Sequence, residues 1–186
     1  MSRTIKRILT AITLISSLTM TQLLAIDGYK TLKFEMTKKQ AIATKICNLN
    51  NTGGSSASQN KLFCFDLIFG KEKVEAELNF IDDRLMRVSL KVALELANGI
   101  VNELLVKYGS ISSRPSQEEI DALEHYPNRK ADLKFDNDTV IMRFETDNRG
   151  NQKLLLMYSR ADYEGLLIAK HVNKVNDDLL TITEQF

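Results

Sequence analysis

The chain has 186 residues, with 25 Lys and Arg against 24 Asp and Glu and a formal net charge of +1. This length is sufficient for one domain with its own hydrophobic core, so the fold does not depend on a metal or on a dense disulfide framework. The near balance of charges, without a basic stripe, argues against nucleic acid as the main partner.

Residues 1–25 have the pattern of a secretion signal. Three basic residues are followed by an apolar run, and Ala25 provides the small residue before the predicted cleavage point. An uncleaved membrane anchor is the alternative, because Leu23 stands where cleavage sites prefer a small residue. The Thr and Ser residues within the run favour the signal, since a spanning helix needs about 20 predominantly apolar residues. We therefore expect a periplasmic or secreted protein, without stable membrane insertion after signal removal.

Cleavage after Ala25 would remove three basic residues and no acidic ones, which leaves 22 basic and 24 acidic side chains. The remaining chain is predicted to form a single α+β domain at 26–180, followed by a C-terminal tail at 181–186.

Cys47 and Cys64 are the only cysteines. In an exported chain the simplest interpretation is one disulfide between them. It would close a loop of 17 residues and restrict the unfolded chain by roughly 3 kcal/mol. Two buried free thiols are the alternative, whereas a redox-active pair is disfavoured because the C-x-x-C spacing is absent.

Apolar residues at helical spacing predict four helices. Two of them begin with a capping box, in which a hydroxyl residue is followed three residues later by Gln or Glu: Thr37 with Gln40, and Ser116 with Glu119. The clearest apolar stripe is that of the helix from Ala93 to Tyr108, and Gly109 stands where the C-terminal end of this helix is expected. The predicted helices run from Thr37 to about Ile46, from Ala93 to Tyr108, from Ser116 to about Glu124, and from near Ser159 to about Asp178.

Alternating apolar and polar residues predict six strands in two meanders, with a loop at 48–60 and a linker at 110–115. The short turns between the strands favour antiparallel pairing. We therefore expect an α+β fold, an antiparallel sheet of about six strands with the helices packed on one face. The predicted strands are 62–69, 74–80, 86–92, 131–135, 140–145 and 154–158.

The first predicted strand carries a row of large apolar side chains. With a period of two, one face would hold Phe63, Phe65, Leu67 and Phe69, and the other Leu62, Cys64, Asp66 and Ile68. If Cys64 is bonded to Cys47 beside a helix, its face is the covered one, and the aromatic row points to the uncovered side. Phe63, Phe65 and Phe69 are then candidate partner-binding residues. The alternative is that this row is the core, which the usual burial of large apolar residues favours.

The sequence shows no recognisable catalytic or ligand-binding motif. His125 and His171 lack further ligands at suitable spacing, so a surface role is expected for both. The acidic turns at 82–83 and 136–138 fit hairpin chemistry better than a calcium loop. A G-x-S-x-G elbow and a phosphate loop are also absent. We therefore predict no catalytic residue, no cofactor and no metal ligand.

The K-F-E-M-T-K-K-Q run at 33–40, the two cysteines and the repeated plan of a helix plus a meander resemble small exported bacterial proteins of the β-lactamase-inhibitor-like superfamily. This group includes outer-membrane assembly lipoproteins of similar fold. Phe34, Met36 and Thr37 match the motif at the start of its first helix, whereas Glu35 replaces its glycine and the lipoprotein cysteine is missing. The resemblance implies a protein that acts by binding other proteins, and it transfers no catalytic residue.

The expected function is that of a non-enzymatic protein-binding module of the inhibitor, immunity or envelope-assembly type. Its partner would be another envelope or secreted protein, bound through the sheet face or the 48–60 loop. A small apolar-ligand carrier, with a pocket between sheet and helices, is the alternative. An enzyme of unrecognised type is the third hypothesis, which a cleft with clustered ionisable residues would favour.

Overall fold

A computed structural model describes residues 26–50 and 60–183, with side chains as far as residue 176. The predicted signal with its cleavage after Ala25, most of the 48–60 loop and the last residues of the tail lie outside the described residues. The strands are β1 (Gly28–Tyr29), β2 (Leu32–Lys33), β3 (Lys61–Phe69), β4 (Glu72–Ile81), β5 (Arg84–Val92), β6 (Ile111–Ser113), β7 (Lys130–Phe135), β8 (Val140–Thr146) and β9 (Gln152–Ser159). The helices are α1 (Lys38–Ala43), α2 (Ala97–Tyr108), α3 (Gln117–His125) and α4 (Tyr163–Thr183).

The two predicted meanders form one antiparallel sheet with the strand order β3-β4-β5-β9-β8-β7-β6. They meet at β5 and β9, where Leu90 lies opposite Leu156. The antiparallel α+β architecture is therefore confirmed, but the sheet has seven strands rather than about six. The additional strand is β6, in the stretch predicted to be a linker. With three residues it is too short to show alternation, and it is defined by pairing with β7.

The predicted lead-in before α1 is a small hairpin of β1 and β2. Tyr29 and Leu32 from this hairpin are buried in the main core. Gly28 has a φ of +148°, and a Cβ atom there would lie 2.0 Å from the carbonyl oxygen of Leu32. Only glycine fits this close approach of two backbone segments.

Both predicted capping boxes are present. Thr37 and Gln40 exchange the two hydrogen bonds of the box at the start of α1, and Ser116 and Glu119 do the same at α3. The predicted end of α1 and start of α4 were wrong. α1 stops at Ala43, and β9 extends through Ser159, so α4 begins only at Tyr163.

The sheet has a covered face and an open face. On the covered face, α1, α2 and the β1–β2 hairpin bury the apolar residues of the central strands, and α3 lies against β7 and β8. α4 departs from the predicted arrangement of all helices on one face. Its first residue, Tyr163, packs with Ile81 and Met86 in a separate small cluster. It also lies with its ring 4.2 Å from the guanidinium of Arg87 on the open face.

Candidate interaction surface

The predicted disulfide is present between Cys47 and Cys64. Cys64 is completely buried among the core residues of the covered face. Next to the bridge, the Asp66 carboxylate accepts a hydrogen bond of 2.9 Å from the backbone N–H of Asn48 and another from its side-chain amide. The three side chains Cys47, Cys64 and Asp66 lie close enough to hold a metal ion. They do not form a metal site, because the two sulfurs are bonded to each other and cannot act as thiolate ligands.

A β-bulge divides the aromatic row of β3. Cys64 lies opposite Ala76, and Leu67 lies opposite Val74, so Phe65 and Asp66 together face the single residue Glu75. One extra residue shifts the alternation of every following side chain to the other face. The prediction that all four side chains of the row share one face was therefore wrong.

The bulge sends the three candidate phenylalanines to different environments. Phe69, beyond the bulge, packs against the core of the covered face. Phe63 is half-buried and lies opposite Glu77. Phe65 has 62% of its surface exposed, and Ile68 has 46% exposed. We call the exposed and half-exposed residues Phe63, Phe65 and Ile68 the β3 patch.

The β3 patch lies on an outermost strand of the sheet. Asn50 pairs with Phe63 through two backbone hydrogen bonds and covers the first part of this edge. Further along, the Nζ of Lys30 donates a hydrogen bond of 2.6 Å to the carbonyl of Ile68. Bulges and charged side chains commonly protect edge strands from nonspecific pairing with strands of other molecules. Side-chain contacts, rather than strand addition, are therefore the recognition mode that this edge favours.

The open face beside the β3 patch carries a network of ion pairs between neighbouring strands. Cross-strand partners are Lys61 with Glu77, Lys91 with Glu75, Arg143 with Asp132, and Lys153 with Glu145. The Arg143 guanidinium and the Asp132 carboxylate form a bidentate pair with two bonds of 2.7 Å, and this hydrogen bonding raises the pKa of Arg143. Because these charges neutralise one another, the face forms a polar surround for the apolar patch.

Among the charged side chains of the open face that the structure describes, Arg87 alone is buried. Its place in an alternating strand is the only sign of this in the sequence. Its Nε donates a hydrogen bond to the hydroxyl of Ser159. Its Nη2 forms a 2.6 Å ion pair with Glu164 in the first turn of α4. Arg87 therefore positions the start of α4.

A second candidate site is an apolar groove between the β3–β4 turn and α2. It has a volume of about 640 Å³. Lys71 and Glu72 contribute to its rim. Burial raises the pKa of the Tyr158 hydroxyl, which keeps this inner wall uncharged. The apolar lining includes Phe69, Ile100, Leu104, Leu156 and Tyr158.

Both histidines are exposed, as the sequence predicted. The Nδ1 of His125 lies 2.8 Å from the carbonyl oxygen of Asp121, one turn earlier in α3. His171 lies on the exposed part of α4.

Residues 29–178 match a protein family described as "Uncharacterised protein", and the chain belongs to this family. A curated relative from Haemophilus influenzae, also described as "Uncharacterized protein", is 30% identical over 156 residues. The alignment covers 83% of this chain and 88% of the relative. No solved structure matches the chain. The family match begins within β1 and ends within α4, so it spans the complete seven-stranded sheet.

None of the helices in the described ranges is both long and apolar enough to cross a membrane.

Proposed function

We propose that this protein is an exported, non-enzymatic protein-binding module, and that the β3 patch is its binding surface. The observation that carries the proposal is the exposure of Phe65, 62% of whose surface is open to solvent at the bulge. A module of this kind would act as an inhibitor, an immunity protein or an envelope-assembly factor. The partner is another envelope or secreted protein.

The energetics of the patch support a protein partner. Fully burying one Phe side chain is worth about 1.5–3 kcal/mol. Protein interfaces concentrate their binding energy in a few such anchors surrounded by polar residues that exclude water. Phe65 with Ile68 provides the apolar anchor, and the pair of Lys61 with Glu77 provides part of the polar surround.

Export is supported by two independent features. The N-terminal residues have the composition of a signal. The disulfide between Cys47 and Cys64 is of a kind that persists in oxidising compartments and is rare in the cytosol. The periplasm or the exterior of the cell is therefore the proposed location.

The resemblance to the β-lactamase-inhibitor-like superfamily is supported by the backbone at Glu35. This residue stands where the superfamily motif has glycine, and its φ is +70°. Glycine adopts this left-handed conformation without strain, whereas other residues do so only at a cost. A left-handed turn at position 35 is the conformation that the glycine of the motif would adopt most easily, which supports the resemblance.

Pull-down from envelope extracts tests the proposal when three forms of the protein are compared. The Phe65→Ser variant is expected to capture at least tenfold less partner than the wild type, because the substitution removes the central apolar anchor. Tyr126→Ser is the matched control, since Tyr126 is also aromatic and has a similar exposed fraction of 59%. Equal capture by both variants would exclude the β3 patch as the binding surface.

A small apolar-ligand carrier is the second candidate, and the groove of about 640 Å³ beside α2 favours it. Its volume lies within the usual range for small-molecule sites, and it has a largely apolar lining. Native mass spectrometry of the purified protein should then show a retained ligand. Leu104→Gln in the groove should abolish the retained mass, whereas Phe65→Ser should leave it unchanged.

A further inference from the structure

α4 has two sides of different character. Tyr163 anchors its first turn, and Lys170 forms a 2.8 Å ion pair with Asp82 at the β4–β5 turn. These contacts orient one side of the helix toward the body of the protein. After Tyr163, every described side chain of α4 is exposed.

The opposite side of α4 carries an apolar seam of Ile168, Val172 and Val175. These residues have exposed fractions of 65%, 49% and 42%. Their spacing of four and then three residues places them within a sector of about 60° on the helix. This is the spacing of the core positions in a coiled coil.

The residues beside the seam favour a second copy of the same chain as its partner. Ala169, His171 and Asn176 occupy the flanking positions, which in coiled coils determine which helices can pair. None of these three carries a fixed charge, and the charge of Glu164, which lies beside Ile168 one turn earlier, is paired with Arg87. Two identical seams can therefore approach without repulsion between like charges. A helix selected for a charged partner would instead carry the complementary charge beside its seam.

A lipid surface fits the seam less well. Helices that lie on membranes carry abundant Lys and Arg on the polar face, from which they contact anionic headgroups. Lys170 is engaged by Asp82, and Asp177 and Asp178 follow Lys174 in the sequence. The helix therefore lacks the basic excess that membrane attachment requires.

We propose that the protein self-associates through α4, with the Ile168–Val172–Val175 seam packing against the same seam of a second copy. The described seam is short, so the association is weak and concentration-dependent. The seam shares no residue with the β3 patch.

Cysteine cross-linking tests this association in protein purified from cells that express the full chain. Both native cysteines are already bonded to each other, so an introduced thiol is the only free one. Val172→Cys, the middle of the seam, should form a disulfide-linked dimer under mild oxidation at least ten times faster than Lys174→Cys. Position 174 is also exposed and lies on the opposite side of the helix.

Sedimentation velocity gives the second measurement. The wild-type protein should show a monomer–dimer equilibrium at concentrations on the order of 100 µM, and Val172→Asp should remain monomeric. Phe65→Ser should retain the dimer. Equal cross-linking at positions 172 and 174, or a wild-type monomer throughout this range, would overturn the proposal. Flotation of the wild-type chain with phosphatidylglycerol vesicles, lost in Val172→Asp, would also overturn it in favour of a lipid surface.

Discussion

Cys64 and Leu67 are three residues apart on β3, yet both are completely buried on the same face of the sheet. In a regular strand, residues an odd number apart point to opposite faces. The bulge at Phe65 and Asp66 explains why Cys64 and Leu67 share a face, because its extra residue shifts the alternation of the side chains. It lets the disulfide and the far end of β3 contribute to one core, and it leaves Phe65 on the surface.

The bulge predicts opposite outcomes for two neighbouring substitutions. Leu67→Ala should lower the free energy of unfolding by about 2–5 kcal/mol, because it opens a cavity in the core. Phe65→Ser should change it by less than about 0.5 kcal/mol, since the side chain is mostly exposed. Urea unfolding measures both. Similar losses for the two variants would indicate a regular strand with both side chains on one face.

The disulfide should make a large contribution to stability. Replacing both cysteines by Ala is expected to lower the free energy of unfolding by roughly 3 kcal/mol, because the 17-residue loop would no longer be restricted in the unfolded chain. A reducing agent should lower the melting temperature of the wild type and leave that of the double variant unchanged. A double variant as stable as the wild type would show that the bridge does not contribute to stability.

Several features of the fold could be predicted from the sequence because their causes are local. Thr37 with Gln40 and Ser116 with Glu119 contain both halves of their capping boxes within four residues. The alternation in β4 and β5 likewise depends on one buried face.

Other features depend on residues far apart in the chain. The bulge in β3 is defined by the register against β4, and β6 exists only because β7 pairs with it. The role of Arg87 depends on Ser159 and Glu164, which lie more than seventy residues later. Such long-range pairing leaves no periodic signal in the sequence. The sequence therefore could not show that Phe65 is exposed whereas Phe69 packs against the core.

Tyr29 predicts a loss of stability at alkaline pH. Burial raises the pKa of its hydroxyl to about 12 from an ordinary value of 10. Above pH 10 the unfolded chain releases this proton while the folded chain retains it, so the free energy of unfolding falls as the pH rises from 10 toward 12. Below pH 10 the contribution is fully present. The expected loss is roughly 2 kcal/mol.

Tyr29→Phe should flatten this alkaline decline. At neutral pH it should cost little, because the hydroxyl has no hydrogen-bond partner among the described residues. Tyr126→Phe, at an exposed position, should keep the wild-type decline. Chemical denaturation between pH 8 and pH 12 measures the free energy of unfolding of each variant. An identical fall with pH for the wild type and Tyr29→Phe would contradict the prediction.

The left-handed backbone at Glu35 predicts a stabilising substitution. Glu35→Gly should be more stable than Glu35→Gln by about 1 kcal/mol, because both remove the carboxylate that pairs with Arg84 and Arg160 but only Gly relieves the backbone strain. Thermal unfolding of the two variants measures this difference. A less stable Gly variant would show that the turn tolerates a side chain without cost.

The proposal that the β3 patch binds another protein can be tested most directly in living cells. A photo-crosslinking phenylalanine analogue would be placed at position 65 and, as a control of similar exposure, at position 126. We predict a single cross-linked product of defined mass from position 65, competed by excess wild-type protein, and none from position 126. The absence of a product at position 65, or the same product from both positions, would contradict the account.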